Sequence, residues 1–313
     1  MDQANNQFLG SKLPNSALNN ITTCNHSSEP EYSPHVLIQR GAATQVPVFC
    51  IPGAGASITS FNQLVDALGD SLPVHGLQPI GLCGNLPPYI DVASAARSNL
   101  NAIRKICAGK PFHLLGHSFG GKVAFEMAQQ LLSNNEEPVS LIIIDSDAPE
   151  SVGDSKPSYS HIEILLRLVD IYNMTLPSPM GLGESDFIGL DTEQQLDLLL
   201  SKLISFRILP SRVNRKVLSG IVNVFSANLN TLYIPTGEYP HSLYIVAADD
   251  VEDEDKKQSS KLMLENWRKH APRAKLRNNS GNHMTLLAKP HVEELAGWMR
   301  HMFYNSPEDS QIP

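Results

Sequence analysis

Short apolar runs alternate with stretches of helical spacing along most of the chain. Val36-Leu37-Ile38 opens the pattern, and Val46 to Ile51 reads as a buried strand that stops at Pro52-Gly53-Ala54-Gly55. Ile58 to Leu68 has helical spacing, Leu72 to Leu77 has strand character, and Val92 to Cys107 is again helical. Pro111 to Leu115 is a short apolar run ending at Gly116, and after Gly120-Gly121 the spacing of Val123, Ala124, Met127, Ala128 and Leu131 predicts a helix to Leu132. Val139 to Ile144 is uniformly apolar, as expected of a strand covered on both faces of a parallel sheet. Such alternation predicts an α/β fold with a mostly parallel central sheet flanked by helices.

From about Ser151 to Tyr239 the alternation stops. Ile162–Tyr172, Gln194–Leu209 and Val217–Leu229 are helical in spacing, with no clear strand between them. A block of helices inside an α/β alternation predicts a helical lid over about 151–239. Strand character returns at Ser242–Val246, followed by helices at about Lys261–His270 and His291–Tyr304. Residues 1–34 are rich in Asn and Ser, poor in large apolar residues and punctuated by Pro14, Pro30 and Pro34. They are expected to form a flexible tail or linker, too apolar-poor to fold alone. The folded domain is expected over 35–310.

The chain has 313 residues, enough for about two average domains or for one large α/β domain with an insertion. With 24 Lys and Arg against 32 Asp and Glu, the net charge is −8. That balance argues against nucleic-acid binding, which needs a basic face to displace counterions. No polybasic stretch is present to attract an anionic membrane, and no run approaches the ~20 apolar residues of a membrane span. The N-terminus lacks a basic region followed by an apolar one, so no secretion signal is expected. Cys24, Cys50, Cys83 and Cys107 form no C-x-x-C pair. Free thiols in the cytoplasm are the expectation.

Gly116-His117-Ser118-Phe119-Gly120 is G-x-S-x-G, placed between a strand-like and a helix-like run. In that context the sequence predicts a sharp turn that presents Ser118 as a nucleophile at the top of a sheet. The helix that follows directs its N-terminal N–H groups toward developing negative charge. A serine nucleophile needs a base. His283, in the loop-like Ser280-Gly281-Asn282-His283-Met284 after the last predicted strand, stands where the base is expected. His117 is expected to give packing or polar support. For the acid that orients the base, Asp145 ends one apolar run, while Asp249 and Asp250 end another. The second pair opens an acidic stretch that also reads as a solvated loop, so Asp145 is preferred. An oxyanion hole is expected from the backbone N–H groups of Phe119 and of Ala54, with Gly55 as the second choice in that loop.

Other patterns carry less. Gly53-x-Gly55 follows a strand, but Ile58 occupies the next glycine position, so the dinucleotide fingerprint fails. No Gly-Lys-Ser/Thr follows. His113 and His117 are read as spanning strand and elbow, which makes a zinc pair there unexpected; no metal site is predicted. Cys50 and Cys107 read as core thiols. Leu165, Leu168, Leu199 and Leu203 are expected to pack between lid helices, with exclusion of water from the site as the functional alternative.

Taken together, Pro52-Gly-Ala-Gly, Gly116-His-Ser-Phe-Gly-Gly121-Lys-Val-Ala-Phe-Glu126, Leu141-Ile-Ile-Ile-Asp145-Ser146 and Gly281-Asn-His283 resemble the α/β-hydrolase thioesterase domains of nonribosomal peptide and polyketide synthases. The resemblance covers about residues 36–304. It implies transfer of an acyl, peptidyl or polyketide chain from the phosphopantetheine arm of a carrier protein to Ser118, then release by hydrolysis or macrocyclisation. It implies no bound cofactor, and a carrier protein or synthase module as partner. Chain-terminating members carry the acid where Asp145 stands; editing members carry it where Asp249 stands. The chain has no matching carrier segment upstream, Leu9-Gly10-Ser11 being a poor match, so it reads as a free-standing enzyme or as a domain of a larger protein. An editing thioesterase and a generic carboxylester hydrolase are the alternatives. The second lacks the His-Gly-Gly-Gly loop of lipases. A non-catalytic ligand-binding protein is the third.

Overall fold

The structure is a computed structural model that describes residues 32–249 and 254–304. A seven-stranded sheet forms its centre: β1 (His35–Gln39), β2 (Val48–Ile51), β3 (Val74–Leu77), β4 (His113–His117), β5 (Ser140–Ile144), β6 (Leu243–Asp249) and β7 (Ala274–Ser280). The spatial order is β1-β3-β2-β4-β5-β6-β7, with β1 antiparallel to β3 and every other pair parallel. The α/β expectation therefore holds.

Every residue of β2, β4 and β5 is buried, because helices cover both faces. Phe49, Ile51, Leu114, Leu141 and Ile143 face α2 (Val92–Cys107) and α3 (Phe119–Leu132). Their neighbours Val48, Cys50, Leu115, Ile142 and Ile144 face α1 (Asn62–Leu68) and α9 (His291–Tyr304). The period of two along each strand thus supplies two cores from one sheet. Cys50 and Cys107 are buried in these cores as free thiols.

Between β5 and β6 lie α4 (His161–Asn173), α5 (Glu184–Phe187), α6 (Thr192–Ser205) and α7 (Arg215–Leu229). Their starts are fixed locally. Ser160 and Glu163 form a capping box on α4, and Asp191 and Gln194 form one on α6. Asn214 accepts from the Val217 N–H at the start of α7. Leu165, Leu168, Leu199 and Leu203 are buried with Phe187, Leu218 and Phe225 in a third core of these helices. α8 (Glu254–Arg268) returns the chain from β6 toward β7.

Several expectations are corrected. β7 was not predicted, and α5 is an additional short helix. Strand β4 runs through Gly116 to His117, so His113 and His117 lie on one strand rather than across an elbow. Helix α3 begins at Phe119, four residues before Val123, and takes in Gly120 and Gly121. The 1–31 tail, with Cys24 and Leu9-Gly10-Ser11, lies outside the described residues, as does Asp250. Among the described residues no helix is long and apolar enough to cross a membrane.

Candidate active site

Ser118 occupies the turn between β4 and α3 with φ 54 and ψ −128, a region that L-residues seldom adopt. The surroundings hold it there. The Ser118 N–H donates to the Ile144 carbonyl at 2.8 Å, and the Gly121 N–H donates to the Ser118 carbonyl at 2.8 Å. The glycines around it are a matter of space. A Cβ on Gly116 would run into the Gly120 carbonyl, and one on Gly120 would run into the Ile51 carbonyl. A Cβ on Gly121 would lie 2.7 Å from the Ser146 side chain. The strand, the helix and the next strand therefore close on one another only with glycine at these positions.

Asp145, the residue after β5, also has a positive φ, 45. Its N–H donates to the Val246 carbonyl at 2.7 Å. Its Oδ1 accepts from the Ala248 N–H at 2.9 Å, and its Oδ2 lies 2.7 Å from His283 Nδ1. Burial by itself would raise the Asp145 carboxyl, but the hydrogen bonds from His283 and Ala248 outweigh it and hold the group below its ordinary value. Its partner in this geometry is therefore fixed as His283, with the imidazole 28% and the carboxylate 14% exposed. Asp249 instead ends β6, paired in register with Ser280.

His283 sits in the loop between β7 and α9. Asn282 shapes that loop: its Oδ1 accepts from the Met284 and Thr285 N–H groups, and its Nδ2 donates to the Met174 carbonyl at the end of α4. His117 supports the loop from below. Its Nε2 donates to the His283 carbonyl at 3.1 Å, and the two rings stack at 4.9 Å. Burial, then the neighbouring His283, push the His117 pKa down to about 3, so its ring is neutral. Polar support from His117 was expected; Asn282 was missed. The only sequence signal for it was its place directly before the histidine in a Gly-Asn-His turn.

Ser118, Phe119, Ala54, Asp145 and His283 all line one cavity of about 730 Å3. Phe119 is the first residue of α3, where backbone N–H groups lack partners within the helix. Ala54 lies in a turn closed by the Ala56 N–H on the Gly53 carbonyl at 3.1 Å. A Cβ on Gly53 would stand 3.0 Å from Ser118 Cβ, so this turn rests directly on Ser118. Leu168, Ile171, Phe225 and Leu229 from the inserted helices form the apolar part of the wall. A hydroxyl, an imidazole paired with a carboxylate, and backbone donors at a helix start are the parts that nucleophilic acyl transfer requires. Among the described residues no group of His, Cys, Asp and Glu is arranged to hold a metal ion.

The chain resembles known proteins over most of its length. The thioesterase-domain family profile matches residues 46–303. Indigoidine synthase of Dickeya dadantii is 31% identical over 156 residues, half of this chain and 10% of that protein. Chondramide synthase cmdD of Chondromyces crocatus is 24% identical over 266 residues, 82% of this chain and 6% of that protein. The chain thus spans a small fraction of these relatives. Among solved structures, a four-domain nonribosomal peptide synthetase bound to AMP and glycine superposes with a TM-score of 0.73 at 18% identity, covering 87% of this chain and 20% of that one. The type II thioesterase BorB of the borrelidin cluster gives 0.59 at 18% identity, over 88% and 98%. These likenesses share the fold, and the family match settles the assignment: the chain belongs to the thioesterase domain family.

Proposed function

We propose that this protein takes an acyl, peptidyl or polyketide chain from the phosphopantetheine arm of a carrier protein onto Ser118 and then releases it. The observation that carries the reading is the 2.7 Å contact of Asp145 with His283 Nδ1, in the cavity that Ser118 also lines. That contact leaves Nε2 as the ring nitrogen available to the nucleophile.

In the proposed sequence His283 Nε2 removes the Ser118 proton as Oγ attacks the thioester carbonyl. The N–H groups of Phe119 and Ala54 hold the oxyanion. Collapse of the tetrahedral intermediate breaks the C–S bond, and the pantetheine sulfur leaves with the proton held by His283. His283 then deprotonates water, or a hydroxyl or amine of the chain itself, which attacks the acyl-serine; the bond from the acyl carbon to Ser118 Oγ breaks, His283 returns the proton to Oγ, and a free acid or a ring is released. Asp145 keeps Nδ1 protonated and offsets the charge on the imidazolium throughout. No bound cofactor or metal takes part in these steps. The partners are a carrier protein or synthase module, in the cytoplasm.

Asp145 follows β5, the position that the family resemblance links to chain release rather than to editing. Intact-protein mass spectrometry with a panel of pantetheine thioesters tests the reading. The expected result is an acyl adduct on Ser118 with release of thiol, absent in Ser118→Ala, and product masses that separate acid from ring. Release confined to short acyl groups would support editing instead. Turnover of simple esters with no adduct from any thioester would make the protein an ester hydrolase.

A further inference from the structure

Lys122 lies in the first turn of α3, four residues after Ser118. Both Lys122 and Glu150 line the cavity of Ser118 and His283. Lys122 Nζ is 2.5 Å from Glu150 Oε1, and the side chains are only 15% and 22% exposed. Glu150 is itself fixed. Its Oε2 accepts from the Tyr233 N–H at 3.1 Å, and its own N–H donates to the Tyr233 carbonyl at 3.1 Å. The ammonium is therefore held in place by a carboxylate that cannot swing away.

An ammonium carries three donors, and Glu150 takes one. A half-buried ion pair is seldom better for stability than apolar side chains of the same volume. The same cavity is apolar at Leu168, Phe225 and Leu229. The other charges of the cavity are placed differently. Asp145 is bonded to His283, while Asp147 and Arg167 are exposed, Arg167 with its guanidinium 4.1 Å over the Tyr159 ring. Lys122 is thus the cation set back in the wall beside the nucleophile.

We propose that Lys122 determines acyl specificity: its remaining N–H groups bind a carbonyl of the acyl chain a few bonds beyond the thioester. The site then selects chains with such an acceptor, peptidyl or ketoacyl, over plain alkanoyl chains. The inference rests on the acyl-transfer reading above. It gives a use to a lysine that the proposed bond-making steps do not need.

N-acetylglycyl and pentanoyl pantetheine thioesters have acyl chains of equal length and differ in the internal amide. Comparing them between variants cancels their unequal intrinsic reactivity. Lys122→Met is expected to lower kcat/KM at least tenfold for the N-acetylglycyl thioester and less than twofold for the pentanoyl one, with Lys122→Arg recovering most of the loss. Equal losses on both substrates would show a merely structural lysine and overturn the proposal, as would no loss on either. Should Lys122→Met fail to fold, the double variant Lys122→Met with Glu150→Gln leaves no unpaired charge and must show the same selective loss. If pentanoyl is turned over and the ratio does not move, only this inference falls. If neither thioester acylates Ser118 in the unaltered protein, the acyl-transfer reading falls as well.

Discussion

His283 takes its orientation from a single carboxylate, with Asp145 Oδ2 2.7 Å from Nδ1. Two apolar runs end in aspartate, and periodicity cannot say which one reaches His283, which lies in neither run. The pairing of β5 with β6 decides it. Asp145 turns out of β5 with φ 45, anchors its N–H on Val246, and meets both the Ala248 N–H and His283 Nδ1. Asp249 continues along β6 opposite Ser280. Asp145→Asn keeps the shape but offers an amide where the imidazole needs an acceptor, which favours the wrong tautomer. We expect kcat to fall on the order of 10^3- to 10^4-fold. Asp249→Asn should stay within a few-fold. Steady-state rates of the two variants on one pantetheine thioester check this, and a larger loss at Asp249 would reassign the acid.

At the scale of elements, legibility follows burial. The runs around β2 and β5, and helices α2 and α9, were readable because their apolar positions repeat with the period of a buried face. β7 was not, since Ala274-Lys-Leu-Arg-Asn-Asn-Ser280 is mostly polar. It pairs on one side only, with β6, and its one fully buried polar residue, Asn279, is held by the Ser280 and His291 carbonyls instead of by apolar packing. The start of α3 was misplaced for a related reason. Gly120 and Gly121 stand before the predicted helix, but they are residues of its first turn, where the lack of a side chain allows closeness to Ile51 and Ser146. In the inserted helices the same closeness governs α7. A Cβ on Gly220 would stand 2.5 Å from the Gly84 nitrogen and the Leu82 carbonyl, neither of which can rotate aside. Gly220→Val should push α7 away from residues 81–84, destabilising by about 1–3 kcal/mol as overpacking does. Because α7 also carries Phe225 and Leu229 into the cavity wall, KM should rise while phosphonate labelling of Ser118 persists. A variant with unchanged melting temperature and KM would show that this contact is slack.

Across the fold as a whole, four histidines that burial holds neutral contribute to stability against acid. His113 is buried between β5 and α9, with Nδ1 on Ser140 Oγ at 2.8 Å and Nε2 without a partner. His117 lacks a partner at Nδ1. His75 stacks on Phe49 and shares a 2.8 Å hydrogen bond with His35 across the β1–β3 edge. Burial lowers all four; His75 and His113 fall to about 4 and His117 to about 3. A histidine lowered in the folded state binds its proton more readily in the unfolded chain. Its contribution is therefore complete above the unfolded pKa of about 6.5 and is lost as the pH falls toward the folded value. Each such group tilts stability by at most about 1.4 kcal/mol per pH unit, against a total of about 5–15 kcal/mol for a typical domain. The melting temperature should hold steady from pH 8 to 7 and drop steeply between pH 6.5 and 4.5. Replacing His35 and His75 together by Gln removes two of these groups and one hydrogen bond, which should lower the plateau but make the acid slope shallower. A slope unchanged in that double variant would mean that the edge pair does not contribute to the acid sensitivity.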